Sequence, residues 1–267
     1  MKAAFPNRRC DHPGRCSARF TQQSATEEDL CGTAADRASI ANFLINTPES
    51  SANSNLPIEV ASTLRSFNLS HLRRLPCTRL EADSILPLVP DPNQKAAVFD
   101  FNANYDWMTQ ANSQLDQYRI IHLATHGFAN EEKPELSMLV LSLVDPQGNT
   151  QNGMLRLRDI FNLKLNADMV VLSACQTGQG ETVRGEGLIG ITRGFMYAGA
   201  KRVVNSLWYV DDAKTAELMV RFYRGILEEN LSPTAALQKA QIQMWETYKK
   251  PDLWAAFTIQ GEWRIQN

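Results

Sequence analysis

An α/β fold with a mostly parallel sheet is expected for this 267-residue chain from three observations. Short apolar runs alternate with helical patterns of ten or more residues, the arrangement of strand–helix–strand crossovers that cover both faces of a sheet. Two of the runs, Ile120–Gly127 (I-I-H-L-A-T-H-G) and Val170–Gly178 (V-V-L-S-A-C-Q-T-G), carry a histidine and a cysteine just beyond an apolar strand. Reactive groups collect there because the carboxyl ends of parallel strands open into a crevice. Apolar residues make up 43% of the chain, enough for a core, but they are sparse before residue 70.

Residues 1–70 are rich in Ser, Asn, Thr and Arg and are expected to be poorly ordered or degenerate. The stretch Thr47–Pro57 in particular could not offset the entropy of ordering it. Weak helical patterns remain near Asp29–Leu44 and Val60–Phe67. Thr78 and Glu81 fit a capping box that opens a short helix, and Pro87 ends it. A weak strand over Ala96–Phe101 precedes a helix from Tyr105 to about Leu115. Strands follow at Ile120–Ala124 and Ser137–Leu143, then a turn at Asp145–Gly148 (D-P-Q-G) and a short helix at Leu157–Leu163. Met169–Ser173 reads as a buried strand, Leu188–Tyr197 as an apolar helix and Arg202–Leu207 as a further strand. Leu218, Met219, Phe222, Tyr223, Ile226 and Leu227 lie on one helical face. Ser232 and Pro233 supply an N-cap and first helical position for a last helix to about Tyr248, and Phe257–Gln260 closes the sheet as an edge strand.

The net charge of −2 gives no basis for binding nucleic acid or an anionic membrane, and no apolar run reaches the ~18 residues that span a bilayer. Arg8, Arg9 and Arg15 have no apolar segment behind them, so no secretory signal is expected and a cytoplasmic location is the default. Five cysteines without such a signal argue against a disulfide framework. Cys10, His12, Cys16 and Cys31 do not have the spacing of a zinc finger or ribbon, so no metal is expected there.

His122 and His126 have the spacing of a helical zinc pair, yet their setting is β-like. Four strand residues span roughly 13 Å, too far to share one ion. Period two would put both rings on one sheet face, with His122 deeper as a satisfied core histidine and His126 nearer the crevice. Cys175 leaves a strand into Gln176–Gly180, a loop whose backbone amides could converge on an oxyanion, and a nearby imidazolium would lower its thiol pKa. Val183 occupies the third glycine position of a dinucleotide fingerprint, and neither a P-loop nor G-x-S-x-G occurs. Asp211 and Asp212 follow the next strand; each could cap a helix or form an acidic floor for a basic side chain.

The S-A-C-Q-T-G segment lies downstream of His126, with Cys175 49 residues beyond it, which is like the caspase arrangement of cysteine and upstream histidine. Together with H-L-A-T-H-G-F, Gly185–Ala200 (G-E-G-L-I-G-I-T-R-G-F-M-Y-A-G-A), Asn205–Asp212 (N-S-L-W-Y-V-D-D), Ala216–Tyr223 and Ala236–Gln241, it closely resembles the CHAT domain family. These are caspase-like cysteine peptidases of clan CD, often found beside tetratricopeptide repeats. The resemblance runs from about Leu75 to Trp263. It implies a caspase-like three-layer αβα sandwich over residues 71–267 and a cysteine endopeptidase acting on a protein or peptide substrate. In that reading Cys175 is the nucleophile, His126 the general acid/base, and the backbone N–H groups of Gly127 and Cys175 the oxyanion donors. Asp212 and Asp211 are candidates for a pocket selecting a basic residue. No cofactor is implied, and a tetratricopeptide-repeat or regulatory partner is. The family's usual strands before Arg74–Ala82 (R-L-P-C-T-R-L-E-A) have no counterpart in residues 1–70, so the sheet is expected to lack its first strands. A catalytically silent interaction module of the same fold, or a domain fragment, is the alternative.

Overall fold

The computed structural model describes residues 75, 77–110, 114–130, 133–173, 186–208 and 210–262. The polar amino-terminal stretch, with its weak helical patterns, Cys10, His12, Cys16, Cys31 and the question of missing first strands, lies outside the described residues.

A main sheet has the order β1-β5-β6-β7, formed by Ile120–Leu123 (β1), Met169–Leu172 (β5), Arg202–Ser206 (β6) and Phe257–Gly261 (β7). The first three are parallel, and β7 closes the edge as expected, running antiparallel to β6. Every residue of β5 is buried, because a strand covered on both faces has no solvent side to alternate with. Met169 and Val171 enter one core, alongside Ile85, Leu218, Met219, Phe222 and Ala236. Val170 and Leu172 enter the other, alongside Ile121, Ile191 and Phe195. Helices Cys77–Ile85 (α1), Asp212–Leu227 (α5) and Pro233–Tyr248 (α6) supply the first layer. Helices Tyr105–Thr109 (α2), Leu157–Phe161 (α3) and Glu186–Tyr197 (α4) supply the second. The result is the three-layer αβα sandwich.

Local chemistry fixes the helix ends. Ser232 caps α6 by accepting from the Ala235 N–H at 3.3 Å, with Pro233 first in the helix. Helix α4 ends in a left-handed turn at Gly199 (φ +117°), where Ala200 N–H reaches back to Phe195 O at 3.0 Å. A Cβ on Gly199 would sit 2.0 Å from Leu165 O, so close backbone approach and positive φ both demand glycine.

Several expectations need correction. A second sheet, β2-β3-β4, is built from His126–Phe128 (β2), Met138–Val140 (β3) and Met154–Arg156 (β4), all antiparallel. Three-residue strands are too short to show alternation, so only β3 had a sequence signal. Ala96–Phe101 forms no strand; it ends in a 3₁₀ turn, Asp100–Asn102. Helix α2 stops at Thr109, well short of Leu115, although Asn104 caps it through the Trp107 N–H as a good N-cap should. The capping box at Thr78 and Glu81 is absent. Thr78 Oγ1 donates to Leu75 O at 2.7 Å, and Glu81 turns into the core. Cys77 is disulfide-bonded, and the four other cysteines all lie outside the described residues. No helix among the described residues is long and apolar enough to cross a membrane.

Candidate active site

Strands β1 and β5 run side by side in register, with Leu123 opposite Leu172 and the Ser173 N–H donating to Leu123 O at 2.9 Å. From this shared carboxyl edge the segment after β1 turns away. Beyond β1, Ala124 and Thr125 carry the backbone out of the main sheet, and Thr125 Oγ1 donates to Val140 O. His126 then pairs opposite Val140 in the small sheet. His122 and His126 therefore do not share a sheet face: the strand breaks between them, and period two does not survive the break.

His126 is half-buried, its ring stacked against Phe128 at 6.4 Å between centroids and 23° between planes. Phe128 is fully buried and gives the imidazole a rigid backing. Gly127 is buried opposite Leu139. On the neighbouring strand Ser173, 4% exposed, is the last described residue before the segment holding Cys175. Cys175 and the loop after it lie outside the described residues.

Under this edge sits a buried polar cluster that the sequence reading missed. Glu81 of α1 is 1% exposed. Its Oε2 accepts a hydrogen bond from Ser173 Oγ at 3.0 Å. Its Oε1 lies 3.1 Å from His122 Nε2, an ion-pair distance, although neither atom makes a well-directed hydrogen bond. His122 Nδ1 is 3.1 Å from the Tyr223 hydroxyl of α5. Burial pushes the Tyr223 phenol far above its ordinary range, and the nearby Glu81 charge pushes it the same way, so the hydroxyl stays protonated. His122 is thus a half-buried histidine held by Tyr223 at one nitrogen and facing Glu81 with the other, where only the ion-pair contact is made. A signal for Glu81 was present: Cys77, Glu81 and Ile85 fall at every fourth position and form the buried stripe of α1. A carboxylate on that stripe must find partners or stay neutral.

The two aspartates do different things. Asp211 caps α5, accepting from the Lys214 N–H at 2.7 Å. Asp212 Oδ2 accepts from the Cys77 N–H at 3.0 Å, joining the first turn of α5 to the first turn of α1. Both are half-buried, and Leu207 and Trp208, exposed at the carboxyl end of β6, precede them. Among the described residues no group of three His, Cys, Asp or Glu side chains could hold a metal ion.

Comparison with known proteins gives the context. The CHAT domain profile matches residues 18–262, which takes in most of the polar amino-terminal stretch as well as the sandwich. Tetratricopeptide repeat protein 28 of Mus musculus is 34% identical over 110 residues, covering 40% of this chain and 4% of that protein. Its Homo sapiens counterpart is 34% identical over 113 residues, covering 42% of this chain and again 4% of the relative. The matched segment is therefore a small part of these long relatives. With a profile match over nearly its whole length and an αβα sandwich to go with it, the chain belongs to the CHAT domain family, a caspase-like family.

Proposed function

We propose that this chain is a caspase-like cysteine endopeptidase domain working through His126 and Cys175. The observation that carries the reading is the shared edge of β1 and β5. His126 stands three residues beyond one strand, and Cys175 follows the other by the same number. A thiol and an imidazole delivered from neighbouring parallel strands form a nucleophile–base pair.

In this mechanism the Cys175 thiolate attacks the peptide carbonyl carbon, a C–S bond forms, and the carbonyl electrons move onto oxygen. The backbone N–H groups of Gly127 and Cys175 hold that oxyanion; losing one such donor typically costs about 10²–10³ in rate. The C–N bond breaks as His126 gives its proton to the departing amine. A water, deprotonated by His126, then adds to the thioester and releases the carboxylate product with the free thiolate. Asp212, aided by Asp211, selects a basic residue before the cleaved bond through charge-assisted hydrogen bonding. Protein or peptide is the substrate class, and the names of the relatives support a tetratricopeptide-repeat setting.

The test is labelling by a peptide probe carrying Lys or Arg next to a thiol-directed warhead. Labelling that maps to Cys175 and disappears in Cys175→Ala is expected. A folded sample that stays unlabelled, or labels equally in the variant, removes the peptidase reading in favour of a silent interaction module.

A further inference from the structure

We propose that Glu81 is a positioning residue for this dyad, one buried carboxylate that ties together the two strand ends delivering His126 and Cys175. The inference rests on the peptidase reading and adds to it a group on a third element.

The geometry is specific. Ser173 is the residue immediately after β5 and stands two positions before Cys175. His122 is on β1, four positions before His126. Glu81 reaches both, accepting from Ser173 Oγ at 3.0 Å with one oxygen and lying 3.1 Å from His122 Nε2 with the other. At 1% exposure the carboxylate is shut off from bulk solvent, so its protein partners carry its hydrogen bonding. The rest of the cluster is fixed as well. Tyr223 backs the far nitrogen of His122, Asp212 holds the amino end of α1 through the Cys77 N–H, and Ile85 anchors the other end in the apolar core.

Beyond Leu123 the chain crosses to the small sheet, and Ser173 is joined to Leu123 by its N–H on Leu123 O at 2.9 Å. The Glu81 carboxylate adds a side-chain constraint to this backbone pairing at the carboxyl ends of β1 and β5. A supporting group of this kind acts on orientation rather than on substrate affinity, and displacements near 1 Å at a reacting pair can cost on the order of 10²-fold.

The experiment compares Glu81→Gln with the wild-type chain on a fluorogenic peptide bearing Lys before the cleaved bond. Ile85→Ala serves as a control that weakens the same helix without touching the tether. Glu81→Gln is expected to lower kcat roughly ten- to a hundredfold with KM within about twofold, the pattern of lost positioning. Glu81→Asp, which keeps the charge, should recover part of that loss. A folded Glu81→Gln with wild-type kcat overturns the proposal. So does an equal loss of kcat in Ile85→Ala at matched stability. If Glu81→Gln does not fold, Ser173→Ala cuts one tether alone: a several-fold fall in kcat supports the role, and none overturns it. Wild-type protein that neither turns over the peptide nor labels at Cys175 overturns the peptidase reading, and the positioning role falls with it. An active wild type with an indifferent Glu81 overturns this inference alone.

Discussion

Asp211 and Asp212 are adjacent in sequence, and the structure assigns them separable jobs that substitution can pull apart. Asp211 accepts from the Lys214 N–H at 2.7 Å as the N-cap of α5. Losing such a cap to Ala costs about 1 kcal/mol, which in a domain of roughly 150–250 residues lowers the Tm by about 2–4 °C. Asp212 accepts from the Cys77 N–H at 3.0 Å and also places its charge at the positive end of α5. The charge–dipole contribution is about 0.3–1 kcal/mol. The hydrogen bond, half-buried and so partly screened, adds about 1 kcal/mol. Asp212→Ala should therefore lower the Tm by at least as much as Asp211→Ala. Asp212→Asn keeps an acceptor oxygen and removes the charge, so it should retain most of the stability. In the proposed pocket it should nonetheless lose preference for basic residues. The assay pairs thermal melts of the variants with kcat/KM on matched peptides carrying Lys or Leu before the cleaved bond. An unchanged Tm in Asp211→Ala refutes the capping argument. An unchanged Lys-to-Leu ratio in Asp212→Asn refutes the acidic pocket.

Three further outcomes follow from the interior. The Tyr223 phenol is raised far above its unfolded value near 10, first by burial and then by Glu81, so its contribution to stability is complete below about pH 10 and is lost as pH rises beyond it. Urea midpoints between pH 9 and 11 should fall less steeply in Tyr223→Phe, by about 1.4 kcal/mol per pH unit above 10; parallel curves would contradict this. Gly225→Ala places a Cβ 2.9 Å from that of Ala236 where α5 crosses α6, and should cost about 1–3 kcal/mol in chemical denaturation; a neutral result would mean that the helices separate freely. Thr215 is 2% exposed and its hydroxyl finds no partner among the described residues, so Thr215→Val, β-branched as well, should gain about 1 kcal/mol; a loss would show that the hydroxyl is satisfied in solution.

The elements that sequence predicted well are those whose signals are local or periodic. Ser232–Pro233 opened α6 where expected, and the apolar stripe from Leu218 to Leu227 placed α5. Strand β5 was legible because burial on both faces demands an unbroken apolar run. The small sheet was not, since β2 is three residues long and begins at a histidine. Its pairing is set by β3 and β4, which lie far along the chain. Glu81 was misread for a related reason: a local rule for Thr78 and Glu81 competed with tertiary partners 41 and 92 residues away, and the partners won. The fold of the site was thus visible, while the side chain joining its strands was hidden in long-range contacts. The positions of His126, Cys175 and the aspartates as chemistry came from motif and resemblance, and only His126, Gly127, Asp211 and Asp212 fall within the described residues.

The crossing at Ala124–Thr125 has a mechanical consequence. His126 is mounted on the small sheet and Ser173 at the carboxyl end of β5 in the large one, so the spacing of the proposed base and the strand before the proposed nucleophile is a relation between two sheets rather than a distance within one. A rigid sheet would fix that spacing permanently. Two sheets joined by a two-residue link, with Thr125 on Val140 as the latch, make it depend on how the sheets pack. Leu139 and Leu155 of the small sheet are buried in the same core as Val170 and Leu172 of β5, so the placing of the His126 ring is coupled to the packing of the αβα sandwich itself.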